Sequence, residues 1–250
     1  MDKPLVTIIT PSYKSKRFIS STIQSVLNQS LVDFEMLIVD DSSPDGSADF
    51  IESLLPDNRF KLIRLNDNVG AAEARNVALN IAKGRFIAFL DSDDLWVENK
   101  LELQIDFMMN NNIAFSYSSY QPISENGELA GNIISVPAVI TRSDYLKNTI
   151  IGCLTVMIDK DKVSTFKMPN LRSSHDMALW LDIMRVNSIN AYGINDVLGY
   201  YRIVSSSNTA QKSKAAKDVW SVYRDYLKLN IISSTYYFIW YAFNAIKKRL

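Results

Sequence analysis

Short unbroken apolar runs alternate with stretches whose apolar residues recur every three or four positions through the first hundred residues. Val6 to Thr10 is β-branched, stops at Pro11 and predicts a buried strand. Phe18, Ile19, Ile23, Val26 and Leu27 follow near helical spacing. Met36 to Val39 predicts a second strand that runs directly into Asp40 and Asp41. Ser42 to Gly46 has turn chemistry, and Ser47 is placed to cap a helix carrying Phe50, Ile51, Leu54 and Leu55. Phe60 to Arg64 predicts a third strand. The Ala-rich run Gly70 to Ala82 predicts a helix stopped by Gly84. Phe86 to Leu90 predicts a fourth strand ending at Asp91-Ser92-Asp93-Asp94, with a helix from about Val97 to Met109.

Continuous apolar strands alternating with helices imply an α/β fold, a mostly parallel central sheet flanked by helices. Ligands of such sheets sit at the carboxyl ends of the strands, where both acidic clusters fall. The second half is less regular. Residues 120 to 140 read as loop and short strands, Thr155 to Ile158 as a strand, Asp176 to Val186 as a helix, Asp196 to Ile203 as a short strand, and Ser213 to Leu229 as a helix. With no internal repeat or linker, the pattern predicts one domain with a C-terminal helical appendage.

Composition removes several classes of function. The 250 residues carry 27 basic and 27 acidic side chains, and zero net charge argues against a nucleic-acid binder. A single cysteine, Cys153, excludes a disulfide framework, and a single histidine, His175, excludes a multi-histidine zinc site. Any metal must then be held by oxygen, as Mg²⁺, Mn²⁺ and Ca²⁺ are. The N-terminal residues lack the long apolar core of a signal peptide, so a cytoplasmic location is expected.

The acidic clusters supply the candidate chemistry. Asp91-x-Asp93 after a strand can converge on one hard cation, which would bridge the phosphates of a nucleotide diphosphate. It would neutralise charge as that diphosphate departs. A solvated turn or a helix cap would also explain the run. Asp40 and Asp41 suit a base N–H or a ribose hydroxyl, or else form a turn before Pro44-Asp45-Gly46. Arg75, on an Ala-rich helix after a Gly turn, offers a guanidinium fork for phosphate.

Five segments occur in the order and composition found in the family 2 glycosyltransferases of GT-A fold. They are Val6 to Tyr13, Gln24 to Gln29, Ile38 to Ser43, Gly70 to Asn76 and Phe89 to Asp94. The last resembles that family's DXD motif. The resemblance implies that Asp41 holds the nucleotide base with Asp40 beside it, over a floor made by Pro11 and Tyr13. It implies that Arg75 lies against base and diphosphate. Asp91, with Ser92 beside it, would face the ribose or a metal-bound water, and Asp93 would ligate Mn²⁺ or Mg²⁺.

Ser173 to Leu181 resembles the family's acidic pair before a Leu-Trp-Leu helix, with His175-Asp176 where Glu-Asp is common. The match carries Asp176 over as the general base of an inverting transfer; a helix cap is the other reading. His175, Trp180 and Arg202 are further candidate donor or acceptor contacts. Tyr200-Tyr201-Arg202 and Ser205 to Asn208 resemble a segment closing over the donor, with Lys212, Lys214 or Lys217 in reach of phosphate. Ile203 and Val204 stand where the family commonly has a His.

The uncharged aromatic run Ile231 to Ile246 precedes Lys247-Lys248-Arg249 and is shorter than the roughly 20 residues of a bilayer span. It suits a helix in the membrane interface, one docked on the catalytic domain, or a homodimer contact. The expected division is residues 1–210 as the transferase domain (about 1–100 for the nucleotide sugar, about 101–210 for the acceptor) and 211–250 as the helical segment. The resemblance points to transfer of galactose or glucose from a UDP-hexose donor. The acceptor would be a polyprenyl-diphosphate-linked N-acetylhexosamine in bacterial surface polysaccharide (O-antigen or capsule) assembly, at the inner face of the membrane. A nucleotidyltransferase, or a catalytically silent membrane-peripheral scaffold, would be the alternatives.

Overall fold

The computed structural model describes residues 3–164, 166–204 and 212–247. A nine-stranded mixed sheet runs through the chain, in the order β3-β2-β1-β4-β8-β6-β9-β5 with β7 paired to β9. β1 (Val6–Ser12), β2 (Phe34–Asp40), β3 (Phe60–Arg64) and β4 (Phe86–Phe89) form a wholly parallel block. The helices α1 (Ile19–Leu27), α2 (Ser47–Leu54) and α3 (Ala71–Ile81) connect them. The chain winds outward from β1 to β3, then returns to β4 on the other side of β1. That reversal opens a crevice at the carboxyl ends of β1 and β4.

Both faces of β1, β2 and β4 are buried, which is why these strands read as near-continuous apolar runs, while the edge strand β3 exposes Lys61 and Arg64. Ile9, Leu37, Val39, Ile87 and Phe89 point into one apolar cluster. Their neighbours Ile8, Met36, Ile38, Phe86 and Ala88 point into the other. The period-two pleat thus feeds two cores from one sheet.

The rest of the sheet is antiparallel except where β6 (Phe115–Ile123) meets β9 (Ala191–Arg202). β5 (Leu95–Trp96), β7 (Val139–Ile140) and β8 (Met157–Asp159) are short. α4 (Lys100–Asn110) precedes β6, α5 (Arg142–Lys147) follows β7, and α6 (His175–Val186) leads into β9. α7 (Lys212–Ser221) passes into a π-helical turn, Val222–Tyr226, before α8 (Ile231–Lys247).

Several local expectations change. Ser47 opens α2 rather than capping it: Gly46 holds the cap position at φ 75°. The Ser47 hydroxyl donates to Asp45 at 2.7 Å and accepts the Ser15 amide at 3.1 Å, tying the β1–α1 loop to the β2–α2 loop. Gly84 is not a helix stop, since α3 ends at Ile81. It is glycine because a Cβ there would lie 2.3 Å from the Thr7 backbone nitrogen. The region read as loop and short strands over 120–140 opens inside a nine-residue strand, Phe115–Ile123. Its serines pack inside because they are hydrogen-bonded: Gln104 donates to Ser116 at 2.9 Å, and the Ser119 hydroxyl accepts the Val136 amide at 3.2 Å.

Trp180 is fully buried, with its ring 5.4 Å from Phe89 and 5.5 Å from Phe115. The anticipated contact with donor or acceptor is therefore corrected: this side chain joins α6 to the sheet. Truncating such a core aromatic costs about 3–5 kcal/mol.

Candidate active site

The parallel block brings its three functional loops to one edge. β1 ends at Pro11-Ser12, β2 at Asp40-Asp41, and β4 at the loop Asp91 to Asp94. Above that edge lies a cleft of about 770 Å³. Pro11, Tyr13, Asp41, Arg75, Asp91, Ser92, Asp93, His175 and Asp176 all line it. Residues 165 positions apart in the chain, Pro11 and Asp176, thus face one space.

Asp41 is tied to backbone. Its carboxylate accepts the Val69 amide at 2.7 Å and the Gly70 amide at 2.9 Å, and its carbonyl accepts Asn68 Nδ2 at 3.0 Å. These bonds fasten the end of β2 to the start of α3, where Gly70 has a φ of 87°. Asp40 does not reach the cleft wall. It is buried, accepting the Ser43 amide at 2.9 Å and the Ser43 hydroxyl at 2.7 Å. The turn-forming reading holds for this member of the pair, and its expected place beside the nucleotide is corrected.

α3 carries Arg75 inward on its buried face, leaving it 4% exposed. One guanidinium nitrogen, Nη2, pairs with Asp91, and Nη1 contacts His175 Nε2 at 2.8 Å. Asp91 and Asp93 lie two residues apart on the β4 loop. Burial and the neighbouring Asp91 push the Asp93 carboxyl up to about 6. Asp94 is buried beneath them, and burial followed by Asp93 and Asp91 drives its carboxyl well above the carboxylate range.

Arg202 is corrected in the same way as Trp180. Its backbone amide donates to Asp94 Oδ1 at 2.8 Å, and Nε donates to the Asp93 carbonyl at 2.7 Å. Nη1 donates to the Ser124 and Glu125 carbonyls at 3.2 and 3.0 Å, and the guanidinium lies over Phe18 at 4.9 Å. It clamps the acidic loop from behind and does not line the cleft. From the other side the Thr22 hydroxyl donates to the Asp94 carbonyl at 2.9 Å.

Asp176 sits in the first turn of α6. Ser174, at φ 54°, takes the N-cap position without a side-chain cap bond. Asp176 therefore follows the cap rather than supplying it, and it lines the cleft.

Sequence reasoning missed much of the opposite wall. Tyr145, Thr149, Ile151, Cys153 and Arg172 line it, as do Asp218, Val219 and Tyr241 of α7 and α8. Arg172 was the most legible of these, four residues before Asp176. Lys214 and Lys217 are not on the wall. Ser205 to Asn208, the Lys212 side chain, and Lys248-Arg249 lie outside the described residues.

α8 settles part of the three-way choice for the aromatic run. Ser234, Tyr237, Phe238 and Tyr241 face inward, and Asn244 Nδ2 donates to the Lys147 carbonyl at 3.1 Å. Ile232, Tyr236, Ile239, Trp240, Phe243 and Ile246 form an exposed stripe on the other side. The helix is docked and also presents an apolar outer face. No helix among the described residues is long and apolar enough to cross a membrane.

The donor set fits a divalent cation. Asp91 and Asp93 both line the cleft and offer hard oxygens, and burial, then the neighbouring Asp91, raise the Asp93 carboxyl. No group of three acidic, histidine or cysteine side chains that could hold a metal occurs among the described residues. An ion at this point would complete its shell with phosphate oxygens and water, as Mg²⁺ sites do.

The glycosyl transferase family 2 model matches residues 7–161. The chain belongs to that family. This membership removes the nucleotidyltransferase alternative. TuaG of Bacillus subtilis (strain 168), named for teichuronic acid biosynthesis, is 47% identical, over 99% of this chain and 98% of its own length. UDP-Glc:alpha-D-GlcNAc-diphosphoundecaprenol beta-1,3-glucosyltransferase WfgD of Escherichia coli is 42% identical, over 99% of this chain and 96% of its own. Among solved structures, S. aureus TarS 1-349 with UDP-GlcNAc superposes with a TM-score of 0.71 at 22% identity, over 88% of this chain and 64% of that one. Mannosyltransferase PcManGT from Pyrobaculum calidifontis, with GDP-Man and Mn²⁺, gives 0.71 at 17% identity, over 99% of this chain and 72% of that one. These neighbours establish the GT-A fold of this family 2 glycosyltransferase.

Proposed function

We propose that this glycosyltransferase moves a hexose, glucose or galactose, from UDP-hexose to an N-acetylhexosamine carried on a polyprenyl diphosphate, with inversion at C1. The observation that carries the reading is the meeting of Asp41, Arg75, Asp91, Asp93 and Asp176 in one cleft. The full-length likeness to a UDP-glucose-dependent enzyme with a diphosphoundecaprenol-linked acceptor supports the substrate class.

In this reading residues 1–100 hold the nucleotide sugar, 101–210 shape the acceptor side, and 211–250 close the cleft and meet the membrane. Pro11 and Tyr13 floor the base pocket, and Asp41 accepts from the base. Arg75, Asp91 and Ser92 border ribose and diphosphate. Asp93 would hold Mn²⁺ or Mg²⁺, with Asp91 beside it. When bound, that cation supplies charge neutralisation on the leaving diphosphate.

Asp176 takes the proton from the acceptor hydroxyl as its oxygen attacks C1. The new C1–O bond forms while the bond from C1 to the diphosphate oxygen breaks, and UDP leaves with that electron pair. The sugar passes through an oxocarbenium-like state. The protein works at the cytoplasmic face of the membrane, with the α8 stripe against lipid. Aromatic side chains and the nearby Lys147, whose Nζ is 5.8 Å from the Tyr236 ring, suit that interface.

The test is a donor screen with a synthetic N-acetylglucosaminyl diphosphate lipid, followed by analysis of the product linkage. A β-linked hexosyl product from UDP-glucose or UDP-galactose supports the reading. Transfer only from another nucleotide sugar, or an α-linked product, contradicts it. A silent scaffold would give no product with any donor.

A further inference from the structure

We infer that His175 is a positioning residue that accepts a hydrogen bond from Arg75 at Nε2 and so locks the acidic loop after β4 to the first turn of α6. The inference rests on the roles proposed above for Asp91, Asp93 and Asp176, but the contact itself stands on geometry. Arg75 Nη1 and His175 Nε2 are 2.8 Å apart, although the residues are 100 positions apart in sequence. The other end of the same guanidinium pairs with Asp91. A chain of contacts, Asp91 to Arg75 to His175, therefore crosses the cleft floor from the sheet to α6.

The chemistry of the two partners fixes the direction of the bond. A guanidinium has only donors, so Nε2 must be the acceptor. The ring must then be neutral, with its proton on Nδ1. A protonated imidazole would set two donors against each other. Burial, then the Arg75 charge, hold the imidazole below its usual range, while Asp176 and Asp91 oppose them.

The same contact orients Asp176. Adjacent helical residues point about 100° apart. With His175 held on Arg75, Asp176 is turned toward open cleft, and both line it. Ser174 adopts φ 54° immediately before, a conformation uncommon for a residue other than glycine, so the backbone is bent to start the helix there. The neutral imidazole holds Arg75 without adding charge.

Two measurements on the full chain test this. His175 is the single histidine, so heavy-nitrogen labelling of histidine gives one imidazole to observe. Near neutral pH the ring is expected as the Nδ1–H form, and R75M should release it to a mixture of forms. An Nε2–H ring in the wild type, or a spectrum that R75M leaves unmoved, would overturn the inference. This arm holds whatever the substrate proves to be, so its failure is distinct from a failure of the transfer reading.

The second measurement uses UDP-glucose and the diphosphate lipid acceptor. A glutamine oxygen reaches the place of Nε2, and an asparagine oxygen reaches only that of Nδ1. H175N should therefore lower kcat about 10- to 100-fold with little change in either KM, while H175Q stays within about threefold of wild type. Equal loss in both variants, or no loss in H175N, contradicts the positioning role.

Discussion

The two halves of the cleft are built differently. On the side of the parallel block the lining residues sit at strand ends and on α3, and backbone bonds from Val69 and Gly70 fix Asp41. On the opposite side the wall comes from helix starts, a 3-10 turn at Cys153–Thr155 and the C-terminal helices. In the proposed reading the first design would fix where a nucleotide lies through the sheet itself, and the second would leave acceptor recognition to side chains on separate elements, which can change without disturbing the sheet.

That contrast can be broken from either side, and the largest effect is expected at Asp93. D93N should abolish detectable turnover and remove the Mn²⁺- or Mg²⁺-dependent part of UDP binding, measured by calorimetry with and without the ion. Normal turnover would reject the metal role. D176N should lower kcat by about 10²- to 10⁴-fold while leaving donor binding intact. Loss of both together would make Asp176 structural.

Arg202 tests whether the acidic loop depends on its clamp. R202M removes a buried cation with several carbonyl partners and should cost about 3 kcal/mol in chemical denaturation. A variant as stable as wild type would show that Thr22 and the strands hold the loop alone.

A smaller and pH-dependent effect is expected at Lys100. It is fully buried, 4.3 Å from the Trp96 ring centre and 2.5 Å from Gln104 Oε1, and burial lowers it from 10.5 to about 7. Between those values the unfolded chain binds more protons than the folded one, so stability should rise with pH from about 7 toward 10.5. Below the folded value the penalty for charging the buried amine is fully present. K100M should flatten that rise and stabilise the protein near pH 6 by on the order of 2 kcal/mol. An unchanged slope in denaturation midpoints across that range would contradict the assignment.

The smallest effect on chemistry is expected on the outer face of α8. I239E with F243E should weaken binding to anionic vesicles while kcat on a water-soluble acceptor stays near wild type. Deleting the helix would not separate these effects, because its inner face carries Tyr237, Phe238 and Tyr241 onto the core.

The same contrast explains what the residues revealed in advance. β1, β2 and β4 were legible because they are buried on both faces and run into a proline or an acid at their carboxyl ends. The second half was not. β6 buries Ser116, Ser118, Ser119 and Gln121, and polar residues in a strand read as loop unless their partners are known. Its partners lie on α4 and β9, and bulges near Ser118 and Ser119 break the alternation. Trp180 and Arg202 fall within motifs that adjoin the site, and the sequence alone does not separate them from it. Packing turns one into the core and uses the other behind the acidic loop. Asp218 and Tyr241 left no sequence signal, because only the folding back of α7 and α8 brings them to the cleft.

The most direct measurement is a calorimetric titration of UDP into wild type, D93N and D176N, each with and without Mn²⁺. The account predicts that D176N binds as wild type does and that D93N loses only the Mn²⁺-dependent gain. Equal loss of UDP binding in D176N, or an undiminished Mn²⁺ effect in D93N, would contradict it.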